Sequence, residues 1–218
     1  MERSIETIWK EGFLKGDAVI APKLNNLYNQ KSIHLIDKFK RMFKINLNAI
    51  VIGAVLFLII SFFIKIPIMG IGFFVILSVV VIVNRKLLKG LDRIDKSDNS
   101  YHYLLKFDHW MKEQLAVNKK MARVYYPLFF LSTVLGFWYS NFRGKTLGEK
   151  VVDELTIYFS DLFLLFGIPI SGLVLIVIVA GLLAIFGNKI YSWDVNLIYG
   201  RVFSKLDEII SDMEELRK

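Results

Sequence analysis

The sequence predicts an all-α polytopic membrane protein with four transmembrane helices extended into a cytoplasmic helical bundle. Two observations carry that expectation. The first is a set of four apolar runs without a charged side chain: residues 45–64, 66–84, 124–142 and 162–188. A helix rises about 1.5 Å per residue, so twenty residues reach roughly 30 Å, the thickness of a bilayer's hydrocarbon core. One such run fits inside a soluble core, but four in 218 residues leave too little polar surface to cover them. The second is the placement of the basic residues. Residues 1–44 carry 9 Lys/Arg, 85–123 carry 10 and 189–218 carry 5, so 24 of the 28 fall on one side of a four-span topology. The positive-inside rule assigns that side, with both termini, to the cytoplasm.

Residues 1–21 form the first unit, a short amphipathic cytoplasmic segment. Ser4 is a candidate N-cap, Ile5, Ile8 and Trp9 share a face, and Gly12, Gly16 and Asp17 are expected to end the helix. It packs on the bundle, lies on the membrane surface, or docks a cytoplasmic partner through Trp9 and Phe13. Polar composition and the absence of an apolar core segment over residues 1–44 argue against a cleavable signal peptide.

The second unit, 22–95, opens at Pro22, suited to the first turn of a new helix. No Gly or Pro intervenes from Lys23 to Gly53, so a juxtamembrane helix is expected to run into the first span, with Leu35, Phe39 and Met42 on one face. Lys65, Pro67, Gly70 and Gly72 mark the turn of a transmembrane hairpin with spans at 45–64 and 66–84. Leu87, Leu91 and Ile94 continue a helical face beyond the bilayer.

Residues 96–142 hold a turn, a cytoplasmic helix and the third span at 124–142. Leu104, Met111, Leu115, Ala122 and Tyr125 recur at helical spacing, with Asp108 and Asn118 interrupting the face, and Pro127 is expected to kink the span. Tyr125 and Tyr126 at one end, with Phe137, Trp138 and Tyr139 at the other, suit two membrane interfaces. Thr146 and Glu149 form a capping box that opens an outer interfacial helix within 143–166, running through Leu162 to the Gly167-Ile168-Pro169 break. The fourth span occupies 167–188, where Ala180, Gly181, Ala184 and Gly187 permit close helix approach, within one bundle or between copies.

The last unit, 189–218, is a cytoplasmic heptad helix. Val195, Tyr199, Val202, Leu206, Ile209, Met213 and Leu216 are spaced 4, 3, 4, 3, 4, 3, a coiled-coil seam. It packs against this chain's own extensions or against a second copy.

Reactive chemistry finds no constellation in the sequence. There is no cysteine, which removes disulfides, thiolate metal sites and cysteine nucleophiles. His102 and His109 share a helix face, but no paired metal-ligand spacing such as H-E-x-x-H accompanies them, and His34 stands alone. No catalytic residue, metal site or cofactor is expected. The apolar runs contain no ionisable side chain, which argues against an ion-coupled carrier. The basic excess reads as orientation and attraction to anionic membrane lipid rather than nucleic-acid binding, since no recognition motif goes with it.

Ile8-Trp9-Lys10-Glu11-Gly12, Ala21-Pro22-Lys23-Leu24-Asn25, Leu135-Gly136-Phe137-Trp138, Tyr191-Ser192-Trp193-Asp194 and Tyr199-Gly200-Arg201 resemble segments of uncharacterised four-span inner-membrane proteins of Bacteroidota. That resemblance implies a bacterial inner membrane and no catalytic residues. The plan also resembles membrane proteins that restrain a sigma factor, but the zinc-binding form of those requires cysteines.

The function expected is therefore a non-enzymatic integral membrane protein presenting a cytoplasmic helical bundle to a protein partner, in signalling, regulation or assembly. The partner-binding residues expected are Trp9, Phe13, Val202, Leu206, Ile209, Met213 and Leu216. The alternatives are an oligomeric pore or auxiliary transporter subunit and, less favoured, a membrane-embedded enzyme.

Overall fold

The computed structural model describes residues 5–92, 94, 100–142, 144–159 and 162–215, with the backbone alone over 5–29 and at 100 and 142. The elements run α1 (Ile5–Phe63), α2 (Pro67–Leu91), α3 (Ser100–Trp138), β1 (Asn141–Phe142), β2 (Lys145–Thr146), α4 (Leu147–Tyr158), β3 (Leu164–Leu165), β4 (Ile168–Pro169) and α5 (Ile170–Glu215). The fold is all-α apart from two minimal antiparallel hairpins, β1–β2 and β3–β4. The four long helices pack α1 on α2, α2 on α3 and α3 on α5. Neighbours are antiparallel, since Ser61 meets Gly70 at one end of the α1–α2 pair and Lys40 meets Asp92 at the other.

Three of these helices contain segments long and apolar enough to cross a membrane: Gln30–Phe63, Pro67–Leu91 and Ile170–Glu215. Their apolar lengths are clothed in exposed side chains. Ile52, Leu56, Ile59, Val75, Val79, Ile82, Val177 and Ile185 are all at least half exposed. A contiguous apolar surface of that extent suits lipid and not water. The third expected span is shorter than its sequence run. From Val124 to Trp138 is 15 helical residues, about 22 Å, after which the chain leaves the helix. Gly144, with φ +90°, donates its N–H to Asn141 Oδ1 at 3.2 Å and turns β1 back into β2.

The α1–α2 turn also departs from expectation. The left-handed residue that closes α1 is Lys65 (φ +64°), not a glycine. Ile66 N–H donates to the Ser61 carbonyl at 2.9 Å and Lys65 N–H to Phe62 at 3.3 Å, the paired bonds of a Schellman cap. Pro67 then takes the first turn of α2, where its missing N–H costs nothing. Gly70 and Gly72 lie inside α2 instead of in the turn. A Cβ at Gly70 would collide with the Ser61 side chain at 1.8 Å, and one at Gly72 with Ser132 at 2.3 Å. Their role is to admit neighbouring helices, the small-residue packing that works where lipid removes the hydrophobic drive between helices.

At the other turns, α1 is one helix through Gly12, Gly16 and Pro22, where a break was expected. Helix propensity is a weak local preference, and a single glycine costs only about 1 kcal/mol relative to alanine. The Thr146 capping box is formed: Thr146 Oγ1 accepts from Glu149 N–H at 3.1 Å, and Glu149 Oε2 accepts from Thr146 N–H at 2.7 Å. The helix it opens stops at Tyr158 and does not reach Leu162, because residues 164–169 pair as a hairpin around Phe166 and Gly167, both with positive φ. Two consecutive positive φ angles give the turn whose twist matches antiparallel strands. The turn at 96–100 expected from sequence lies outside the described residues, save Ser100 at the start of α3.

Candidate functional site

The buried core gathers at the end of the bundle that carries most of the charge, and Phe39 of α1 is at its centre. Its ring packs edge-on to Phe107 of α3 at 5.4 Å and to Trp110 at 6.1 Å, stacks on Phe43 at 5.8 Å, and lies 5.4 Å from Tyr199 of α5. Aromatic groups of this kind bring large apolar area and a preference for edge-on contact. The Trp110 indole N–H donates to the Leu87 carbonyl at 3.1 Å, and Gly90 is the residue that leaves room for it, since a Cβ there would lie 3.2 Å from Nε1. Leu104 and Phe107 of α3 and Leu206 of α5 have no exposed surface.

The heptad seam is the α5 wall of this core. Val195, Tyr199, Val202, Leu206 and Met213 are buried, and Ile209 packs partly buried against the same cluster. So of the expected partner-binding residues, Val202, Leu206, Ile209 and Met213 are brought together in this chain's own core, where α5 packs on α3 and α1. Trp9 and Phe13 belong to α1, but their side chains lie outside the described residues, as does Leu216. Polar ties close the bundle at its edges. Tyr101 O–H donates to Glu214 at 3.2 Å, Asn46 donates to the Tyr199 hydroxyl at 3.1 Å, and Lys40 pairs with Asp92.

Between the aromatic core and the apolar spans lies a layer of amides that the sequence reading missed. Asn84 of α2 and Asn118 of α3 exchange reciprocal bonds, Asn84 Nδ2 to Asn118 Oδ1 at 2.9 Å and Asn118 Nδ2 to Asn84 Oδ1 at 3.0 Å. Gln114 Nε2 reaches Asn84 Oδ1 at 3.4 Å, and Gln114 Oε1 is buried with no hydrogen-bond partner among the described residues. Asn118 therefore does not interrupt the α3 face; it is the polar rung of that face. Spacing alone offered a signal: 111, 114, 118 and 122 follow one stripe, and Asn84 closes an otherwise apolar run. Replacing Asn118 by leucine removes both reciprocal bonds, leaves Asn84 only its bonds to the Val80 carbonyl and to Gln114, and should destabilise the bundle by about 1–3 kcal/mol. The double change Asn84→Leu with Asn118→Leu should recover only part of that loss, because it removes both amides together but takes the Asn84 acceptor away from Gln114 Nε2. Thermal melts in detergent of the two single variants and the double check it; three equal melting temperatures would contradict it.

The histidines sit away from this layer. His109 is exposed, 3.1 Å from Glu113, and His102 is exposed beside the Tyr101 ring. Among the described residues no three His, Asp or Glu side chains converge as metal ligands. Lys112 bonds Asp108 at 2.6 Å, and that carboxylate holds its ammonium proton above the ordinary lysine range. As a surface pair one turn apart it contributes little to stability. No protein-family model matches the chain, and no curated protein or solved structure matches it.

Proposed function

We propose that this is a four-span membrane protein of the bacterial inner membrane, with both termini cytoplasmic, whose helices continue into a bundle that presents the N-terminal part of α1 to a protein partner. The single observation that carries the reading is continuity: α1, α3 and α5 each pass without a break from an apolar length into one shared core. That core lies on the side to which the sequence topology assigns 24 of the 28 basic residues. A rigid helix is the simplest connection between a lipid-embedded segment and a soluble one, because it leaves no backbone group unpaired at the boundary.

α3 counts as a span in this reading because of what it touches. A Cβ at Gly136 would meet Met69 backbone atoms at 2.8–3.0 Å, and Gly72 meets Ser132, so α3 rides on α2 along its apolar length. Gly187 of α5 sits equally close to the Ala122 carbonyl. If α2 and α5 cross lipid, the helix clamped between them crosses with them. The internal packing of the seam favours the α1 extension, with Trp9 and Phe13, as the partner-facing element, because Val202, Leu206 and Met213 are occupied at home.

The chain has no native cysteine, so single introduced cysteines report topology without background. Cysteines at positions 65 and 145 should label with a membrane-impermeant maleimide in intact cells, and cysteines at 120 and 205 only after lysis. Labelling of 145 and 205 from the same side contradicts the orientation. Partner recovery by affinity capture should fall at least tenfold in the variant Trp9→Ala with Phe13→Ala while its detergent melt is unchanged. Equal recovery would overturn the presenting role.

A further inference from the structure

The structure assigns an anionic-phospholipid site to the seam between α1 and α2: Lys44, Arg85 and Lys89 hold the headgroup phosphate, and the apolar groove that follows holds an acyl chain. It rests on the membrane reading above, though not on which side the termini face.

A cavity of about 300 Å3 opens between the two helices, with Leu47 and Leu88 among its walls and Lys44, Arg85 and Lys89 around it. Its height is set by sequence: Lys44 immediately precedes the first charge-free run and Arg85 immediately follows the second. Arg85 Nη2 reaches Asn48 Oδ1 at 3.4 Å, which brings the two helices' polar groups to one level. Asp92 is the one carboxylate in the lining, and Lys40 pairs with it. The three remaining cations thus face the mouth with an excess of positive charge, at the depth where a bilayer places its phosphates.

Below this mouth a second cavity, of about 250 Å3, is lined by α1 and α2 residues that include Val51, Val55, Ser78 and Ile82. The two cavities follow one face of the seam. Lys44, Asn48, Val51 and Val55 are successive turns of α1, and Lys89, Arg85, Ile82 and Ser78 are successive turns of α2. From residue 44 to residue 55 is about 16 Å of helix, close to half the hydrocarbon thickness and so the depth of one leaflet. A soluble phosphate would use only the mouth. A lipid with an anionic headgroup uses both, which is why a diacyl phospholipid fits this groove better than a free anion. Choline lipids carry the phosphate and the chains but add a cation that the three basic residues repel.

The test is native mass spectrometry of the detergent-solubilised full chain, with phosphatidylglycerol, phosphatidylcholine and soluble glycerol 3-phosphate as probes. One phosphatidylglycerol should be retained per chain, at least tenfold more than phosphatidylcholine, and millimolar glycerol 3-phosphate should not displace it. The variant Lys44→Gln with Arg85→Gln and Lys89→Gln should lose retention at least tenfold. A charge-matched control, Lys38→Gln with Lys119→Gln and Lys205→Gln, should not. Val55→Trp keeps every cation and blocks the chain groove, so it should also lose the lipid; it keeps the test decisive if the triple variant fails to fold. Equal retention by the triple variant and its control, equal binding of phosphatidylcholine, or displacement by glycerol 3-phosphate would each overturn the assignment, the last in favour of a free-phosphate site. Binding in detergent is independent of orientation, so its failure and a failed cysteine map are separate results.

Discussion

Phe107→Ala should destabilise the solubilised protein by about 3–5 kcal/mol, the range for removing a large aromatic from a close-packed interior. Phe107 has no exposed surface and contacts rings from α1 and its own helix, Phe39 at 5.4 Å and Trp110 at 5.9 Å. The cavity would open in the same core cluster as Leu104 and Leu206, which are themselves fully buried, so little can collapse into it. Leu197→Ala on α5 supplies the contrast: that side chain is 79% exposed and should change stability by less than about 0.5 kcal/mol. Chemical denaturation in a mild detergent, followed by tryptophan fluorescence, measures both. The expected difference locates the stabilising core beyond the apolar spans. Equal effects from the two variants would mean that the charged half of the bundle is not a packed unit.

The seam at the C-terminus shows what heptad spacing does and does not contain. Period and burial agree, since Val195, Tyr199, Val202, Leu206 and Met213 all face the core. The same spacing fits a dimer equally well, because one helix's pattern says only that a complementary surface exists. The complement is Phe39, Phe43, Leu104 and Phe107, spread over two helices far apart in sequence, and no local rule pairs those with α5. The apolar runs were legible for a similar reason: hydropathy is additive along the chain. Where they end was not. The 124–142 run continues as sequence after its helix stops at Trp138, because Asn141 and Gly144 form a turn that a hydropathy window does not weigh.

Of the glycines expected to permit close approach on α5, Gly187 meets the α3 backbone and Gly181 meets nothing within 4 Å. Gly70 and Gly72 looked like turn residues from their nearness to Lys65 and Pro67, and only the positions of Ser61 and Ser132 show that they are contact sites. The Asn84–Asn118 rung was hidden more thoroughly. Each amide reads as a minor fault in an apolar stripe, and the pair exists only when α2 and α3 are set antiparallel. The lipid groove has the same character. Its cations were visible as an orientation signal, but the cleft between them needs both helices in place.

Gly187→Ala and Gly181→Ala, six residues apart on α5, should have opposite effects. A Cβ at Gly187 would lie 2.8 Å from the Ala122 carbonyl oxygen, 3.0 Å from its carbon and 3.1 Å from the Arg123 Cα. All three are backbone atoms of α3, so no rotamer change relieves the contact and the helices must move apart. That separation loosens a dense interface along its length and should cost about 1–3 kcal/mol, the usual penalty for overpacking. At Gly181 nothing lies within 4 Å of the added methyl, and the gain in helix propensity favours alanine by up to about 1 kcal/mol. Melting temperature in detergent should therefore fall for Gly187→Ala and hold or rise for Gly181→Ala. The pair also separates two roles for the small-residue face of α5. If Gly181 lines an interface between copies, its alanine variant should lower the oligomeric state in cross-linking while leaving the melt of the single chain intact. If α5 packs only on α3, cross-linking should be unchanged and the whole effect should reside at Gly187.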